Sequence, residues 1–133
     1  MSKIAYTPNA QSVRTFNLAL DRSENAIRDM ALALLSELIG AANLEEAKAR
    51  QSEYVKAVRE DRKARMSASV RKELFDRSER EVKALYKDGK LSPEAREAWS
   101  RYNLVSKRAG QIAKIRDAMF ERADVRDAVE RFL

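Results

Sequence analysis

Apolar residues return at intervals of three and four along nearly the whole chain, which is the spacing of one face of an α-helix. The longest such seam runs through positions 95, 98, 102, 105, 109, 112, 115 and 119. Ser92 and Pro93 open it. A serine oxygen satisfies a free N–H of the first turn, and a proline at the first helical position forfeits no hydrogen bond. One long C-terminal helix is therefore predicted from Ser92 to about Ala123. Thr7 and Pro8 repeat the signature near the N-terminus, and Val13, Phe16, Leu20, Ile27, Met30, Leu34 and Leu38 keep step behind it. This predicts a first helix from about Pro8 to Ile39, closed by Gly40 in the left-handed conformation. Its second half, from Met30, is apolar on more than one face and reads as the central core segment.

Asn43 followed by Glu46 makes a variant of the capping box, so a second helix is expected to start at Leu44. Its seam of Leu44, Ala47, Tyr54 and Val58 is thin and ends in a charge run from Arg59 to Arg65. A break near Ser67 leads to a third helix, about Ser69 to Lys87, with Val70, Leu74, Val82 and Leu85 on one side. Asp88 and Gly89 end it, and the link to Ser92 is short. The third and fourth helices should therefore form an αα-hairpin near residues 69–122. After Ala123, Asp124 recaps a final turn or two holding Val125, Val129, Phe132 and Leu133. Residues 1–6 have no usable period and are expected to form an arm, ordered only if Ile4 or Tyr6 docks on a neighbour. LDRSENAI at 20–27 and FDRSEREV at 75–82 echo each other, but one pair of common helix residues does not establish a repeat.

With only three Gly and two Pro in 133 residues, the composition supports the same picture, since strand-rich folds need turn residues every ten or so positions. The expectation is an all-α chain, one domain over residues 1–133, built as a bundle of about four to five helices.

The absence of any His or Cys removes the commonest general base, the commonest transition-metal ligand and all thiolate chemistry. Gly40, Gly89 and Gly110 are isolated, so no phosphate-cradling loop exists. The paired acids, such as Glu45 and Glu46 or Glu60 and Asp61, sit among Arg and Lys at helical spacing, where surface ion pairs are the ordinary explanation. No catalytic residue, cofactor or metal site is expected, and the chain is read as a non-enzyme. Its most apolar run, Met30 to Ala42, is interrupted by Ser36 and Glu37 and falls short of the roughly 20 residues that span a bilayer. A cytoplasmic protein without a membrane segment is expected, since no charged-then-apolar leader pattern opens the sequence.

Charge gives the remaining signal. Basic residues number 27 against 21 acidic, a net charge of +6. The excess gathers in two stretches without an acid. From Ala98 to Arg116 lie Arg101, Lys107, Arg108, Lys114 and Arg116; from Arg62 to Lys72 lie Arg62, Lys63, Arg65, Arg71 and Lys72. At 100° per residue Lys107, Lys114 and Asn103 fall opposite the long helix's seam, with Arg101 and Arg108 flanking it. A helix-turn-helix across Gly89 to Ser92 is disfavoured, because its second helix would aim Glu94 and Glu97 at the negative groove. Trp99 and Tyr102 read as core aromatics in preference to platforms for unpaired bases.

These residues predict a helical adaptor or inhibitor that binds a macromolecular partner, an acidic protein surface or a nucleoprotein, through basic helix faces. A direct nucleic-acid binder of packaging or regulatory type and a structural homo-oligomer are the alternatives. The composition resembles that of small phage accessory and structural proteins, a likeness of type that no motif carries.

Overall fold

The computed structural model describes residues 6–22 and 26–133. Among them seven helices and no strand occur: α1 Ala10–Arg22, α2 Ile27–Leu38, α3 Leu44–Ala64, α4 Ala68–Phe75, α5 Glu79–Lys87, α6 Pro93–Glu121 and α7 Ala123–Phe132. The all-α class holds, and the helix count exceeds the expected four to five because two long helices are each divided.

The first division replaces the single helix expected from Pro8 to Ile39. Here α1 ends at Arg22 and α2 begins at Ile27. The two run antiparallel: Ser12 Oγ donates to the Ala33 carbonyl at 2.6 Å, and Asn9 N–H donates to Glu37 Oε1 at 2.6 Å. Reversal folds the apolar faces of the two halves onto each other, whereas one straight helix would leave half of that surface in water. The segment between Leu20 and Ile27 offers no apolar residue except Ala26 to hold a continuous helix against a core. The start is also later than expected. Asn9, not Thr7, is the cap, its Oδ1 accepting the Ser12 N–H at 3.0 Å.

The second division falls at residues 76–78, within the helix expected from Ser69 to Lys87. Ser78 Oγ accepts the Glu81 N–H at 3.2 Å while Glu81 Oε1 accepts the Ser78 N–H at 3.4 Å, a full capping box that starts α5. Both helix divisions therefore coincide with the DRSE echo.

Other termini follow local chemistry as expected. Asn43 Oδ1 accepts the Glu46 N–H at 2.8 Å, although the Glu46 carboxylate reaches back to the Ala42 N–H, one residue beyond the standard partner. Ser67 caps α4 through the Val70 N–H at 3.2 Å. At the end of α5, Lys90 N–H donates to the Leu85 carbonyl at 2.9 Å and Gly89 N–H to the Tyr86 carbonyl at 3.2 Å. That pairing requires left-handed backbone, and Gly89 supplies it at φ 69°. Gly40, by contrast, is not left-handed: Ile39 closes α2 with right-handed backbone, its N–H bonding to the Leu35 carbonyl. The expected 1–6 arm lies outside the described residues apart from Tyr6. Its hydroxyl donates to Glu37 Oε1 at 3.1 Å, and Arg50 lies 5.2 Å over its ring.

Two cores share α6. The larger is built from α1, α2 and α3 around the C-terminal half of α6, with Phe16, Leu20, Met30, Leu34, Leu38, Tyr54, Ile112 and Met119 almost fully enclosed. Here α3 lies parallel to α1 and antiparallel to α6: Asn17 Nδ2 donates to the Val58 carbonyl at 3.0 Å, and Gln51 Nε2 donates to the Ala109 carbonyl at 3.0 Å. The smaller core joins α4 and α5 to the N-terminal half of α6 through Val70, Leu74, Val82, Leu91, Ala95 and Trp99. The expected hairpin is thus formed only in part: α4 is the helix laid along α6, while α5 meets the start of α6 at its own C-terminal end, where Arg96 donates to the Tyr86 carbonyl at 3.0 Å. Glu73 of α4 ties down the start of α6 by accepting from Ser92 Oγ at 2.7 Å and Ser92 N–H at 3.1 Å. Those two bonds hold the Glu73 carboxyl below its usual range.

Candidate functional site

The basic residues singled out by sequence divide sharply once their neighbours are visible. Arg62 is interior, its side chain only 12% exposed. Its guanidinium donates to Asn17 Oδ1 at 3.0 Å and Asp21 Oδ1 at 2.7 Å, locking α3 to α1. Lys63 lies over the Phe75 ring at 4.6 Å, and Arg65 pairs with Asp61 at 3.2 Å. Arg101 reaches across to the Leu20 carbonyl at 3.0 Å, satisfying an end of α1, and also pairs with Glu97 at 3.1 Å. Arg62, Lys63 and Arg101 hold helices together, whereas the Arg65 pair stays at the exposed end of α3. Within the 62–72 stretch Arg62 and Lys63 are thus committed to internal contacts, while Arg65, Arg71 and Lys72 are exposed.

On α6 the exposed positions are Lys107 and Lys114, with Arg108 half-buried between them and donating to Gln111 Oε1 at 2.9 Å. Seen along the helix, Gln111 is the neighbour of all three, four residues after Lys107, three after Arg108 and three before Lys114. The 101–116 stretch thus contributes one compact cationic patch, not a continuous stripe. Arg116 turns inward at 11% side-chain exposure.

Trp99 and Tyr102 are aromatic core, as expected. Their rings stack at 5.9 Å with an interplanar angle of 11°, Phe75 meets Tyr102 edge-on at 5.3 Å, and Arg59 covers Tyr102 from 5.1 Å. Burial raises the Tyr102 hydroxyl's pKa above its ordinary value despite the nearby guanidinium. Such a packed stack leaves no free face for an unpaired base.

Sequence reasoning set Ile115 in the buried seam and so missed that an apolar surface lies next to the cations. Ile115, counted in the seam, is 39% exposed, and Phe132 is 63% exposed. They line one groove with residues of α2, and the signal available was the seam's own geometry: Ile115 drifts off the line through Val105, Ala109 and Ile112. Among the described residues no group of three or more Asp or Glu side chains is placed to hold a metal ion, and no helix is long and apolar enough to cross a membrane.

Comparison of the chain with protein-family models, with curated proteins and with solved structures gives no match.

Proposed function

We propose that the protein is a non-enzymatic helical adaptor or inhibitor that binds an acidic macromolecular surface through the outer face of α6. The observation that supports it is the patch of Lys107, Arg108 and Lys114, which lies on a run of α6 containing no acid while the neighbouring arginines are committed to internal contacts. Two lysines held outward on a rigid helix attract anionic partners and set orientation more than raw affinity. No His or Cys in the sequence supplies a catalytic base or thiolate, which fits the non-enzymatic reading. A cytoplasmic site of action goes with it, as no cysteine ties the fold to an oxidising compartment.

The same cations, with Arg71 and Lys72 on α4, favour direct nucleic-acid binding as the second reading. Salt dependence separates the two. Replacing Lys107, Arg108 and Lys114 together with Gln preserves helix propensity and side-chain length, so stability should stay near the wild-type level. A protein-partner role predicts negligible binding of mixed-sequence duplex or single strand near physiological salt. Tight wild-type binding, weakened in the triple variant with the slope of log K against log salt flattened by roughly 0.7 to 0.9 per lost contact, would put nucleic acid first.

A further inference from the structure

Between α2, α6 and α7 runs an open groove of about 490 Å³. Ile27, Leu32 and Leu35 wall it on α2, Ile115 on α6, and Val129 and Phe132 on α7. Leu35 forms its buried floor, Ile27, Leu32 and Val129 are partly covered, and Ile115 and Phe132 stand exposed at its mouth; a contiguous apolar surface of this kind is the mark of an interaction site. Its edges are charged in one sense. Gln111 forms part of the α6 wall, so Lys107, Arg108 and Lys114 stand along that edge. Arg28, exposed on α2, forms part of the opposite wall, its guanidinium 5.4 Å over the Phe132 ring. The acid nearest the C-terminal wall, Glu130, is engaged by Arg126 at 3.6 Å.

We infer that the groove seats an amphipathic helix of a partner protein, its apolar stripe along Leu32, Ile115 and Phe132 and its carboxylates facing Lys107 and Lys114 on one side and Arg28 on the other. The α2 wall from Ile27 to Leu35 spans roughly 12 Å at 1.5 Å per residue, which accommodates anchors at i, i+3 or i+4, and i+7 of a bound helix. Charge complementarity selects the occupant. A nucleic acid offers phosphates for the cations and no apolar stripe for the groove. A second copy of α7 would bring Arg126 and Arg131 against Asp124, Asp127 and Glu130, a mixed face with no acidic flank of the required kind. This inference rests on the proposed function for the α6 edge and adds the apolar half of the recognition.

The test uses the full chain and fluorescein-labelled helical peptides of about 18 residues carrying Leu at helical spacing and Glu on both flanks. Two controls accompany them: the same residues scrambled, and the same stripe with Lys in place of Glu. Wild type should bind the amphipathic acidic peptides. Ile115→Glu, which places a carboxylate in the groove at an exposed position, should weaken binding at least about tenfold, and the Lys107, Arg108 and Lys114 to Gln variant should weaken it and reduce its salt dependence. Equal binding of the scrambled acidic peptide would overturn the groove and leave the basic-face reading standing. Equal binding of the Lys-flanked peptide would overturn the acidic occupant together with the function proposed for that edge. Absence of binding to any peptide overturns the inference. So does a labelled duplex that binds more tightly than the peptides and is lost only in the triple variant, or a dimer in sedimentation equilibrium that Ile115→Glu dissociates.

Discussion

Arg116 Nη1 donates to Gln51 Oε1 at 2.9 Å, and the amide at the other end of Gln51 donates to the Ala109 carbonyl, so a single glutamine joins α3 to two turns of α6. Both side chains are largely enclosed, and Arg116 also contacts Asp117 at 2.8 Å. Removing Gln51 leaves Arg116 Nη1 without its acceptor, although Asp117 still holds Nε and Nη2, and takes a donor from the Ala109 carbonyl. Gln51→Leu should therefore cost about 1 to 3 kcal/mol in denaturant unfolding, well beyond what its area predicts. In a double-mutant cycle with Arg116→Met the two losses should not add. Additive losses would show that the pair does not couple the helices.

Leu34 and Leu18 give the contrast between core and surface on adjacent helices. Leu34 is fully enclosed in the larger core, and Leu18 is half exposed on α1. Leu34→Ala should lower stability by about 2 to 5 kcal/mol, and Leu18→Ala by less than about 1 kcal/mol. Similar losses at both sites in urea titration would contradict the placement of α2 at the centre.

Acid should loosen the α1–α3 contact through Asp61. Burial acts most strongly on this carboxyl and pulls its pKa up, but hydrogen bonds from Asn17, Arg14 and Arg65 together outweigh burial and hold it below the usual value. A carboxyl with a lowered folded pKa adds stability that is fully present above its unfolded value of about 3.9 and is lost as pH falls through the folded value. Stability should thus decline below about pH 4. Asp61→Asn should be destabilised at neutral pH and show a flatter acid limb. An unchanged limb would place the titrating group elsewhere.

The lobe of α4 and α5 should open before the rest. Val82 is the one residue of α5 that is buried, whereas α2 buries Met30, Ala31, Ala33, Leu34, Leu35 and Leu38. Backbone amides of α4 and α5 should exchange with solvent at least about tenfold faster than those of α2 and α3 under native conditions. Uniform protection across all helices would show that the two cores act as one cooperative unit.

Four helix ends were legible because their caps are local events, whereas Thr7 and Gly40 offered cap signals that the fold does not use. Asn43, Ser67, Gly89 and Ser92 each act within a few residues of their own position, so the signal and the structure occupy the same stretch of chain. Ser78 and Glu81 carry the same kind of information, but Val82 and Leu85 resume the helical spacing of Val70 and Leu74 and so hide the break. The α1–α2 division was harder to see, because what favours it is the burial of one half on the other, a property of the folded pair. The basic residues expose the same limit. Helical phase placed Lys107 and Lys114 outward, yet it held no sign that Arg62 would find Asn17 or that Arg101 would reach the Leu20 carbonyl, partners distant in sequence. A long guanidinium arm can serve water or another helix from the same angular position.

Trp99 is the only tryptophan in the chain, and it belongs to the smaller core. Intrinsic emission is consequently a local gauge: it speaks for the lobe of α4 and α5, while far-ultraviolet ellipticity speaks for every helix. When the chain is melted, a fluorescence midpoint that precedes the ellipticity midpoint would record the lobe peeling from α6 with the larger core intact. The sequence therefore carries a built-in optical probe of its own weakest junction, without a label or a substitution.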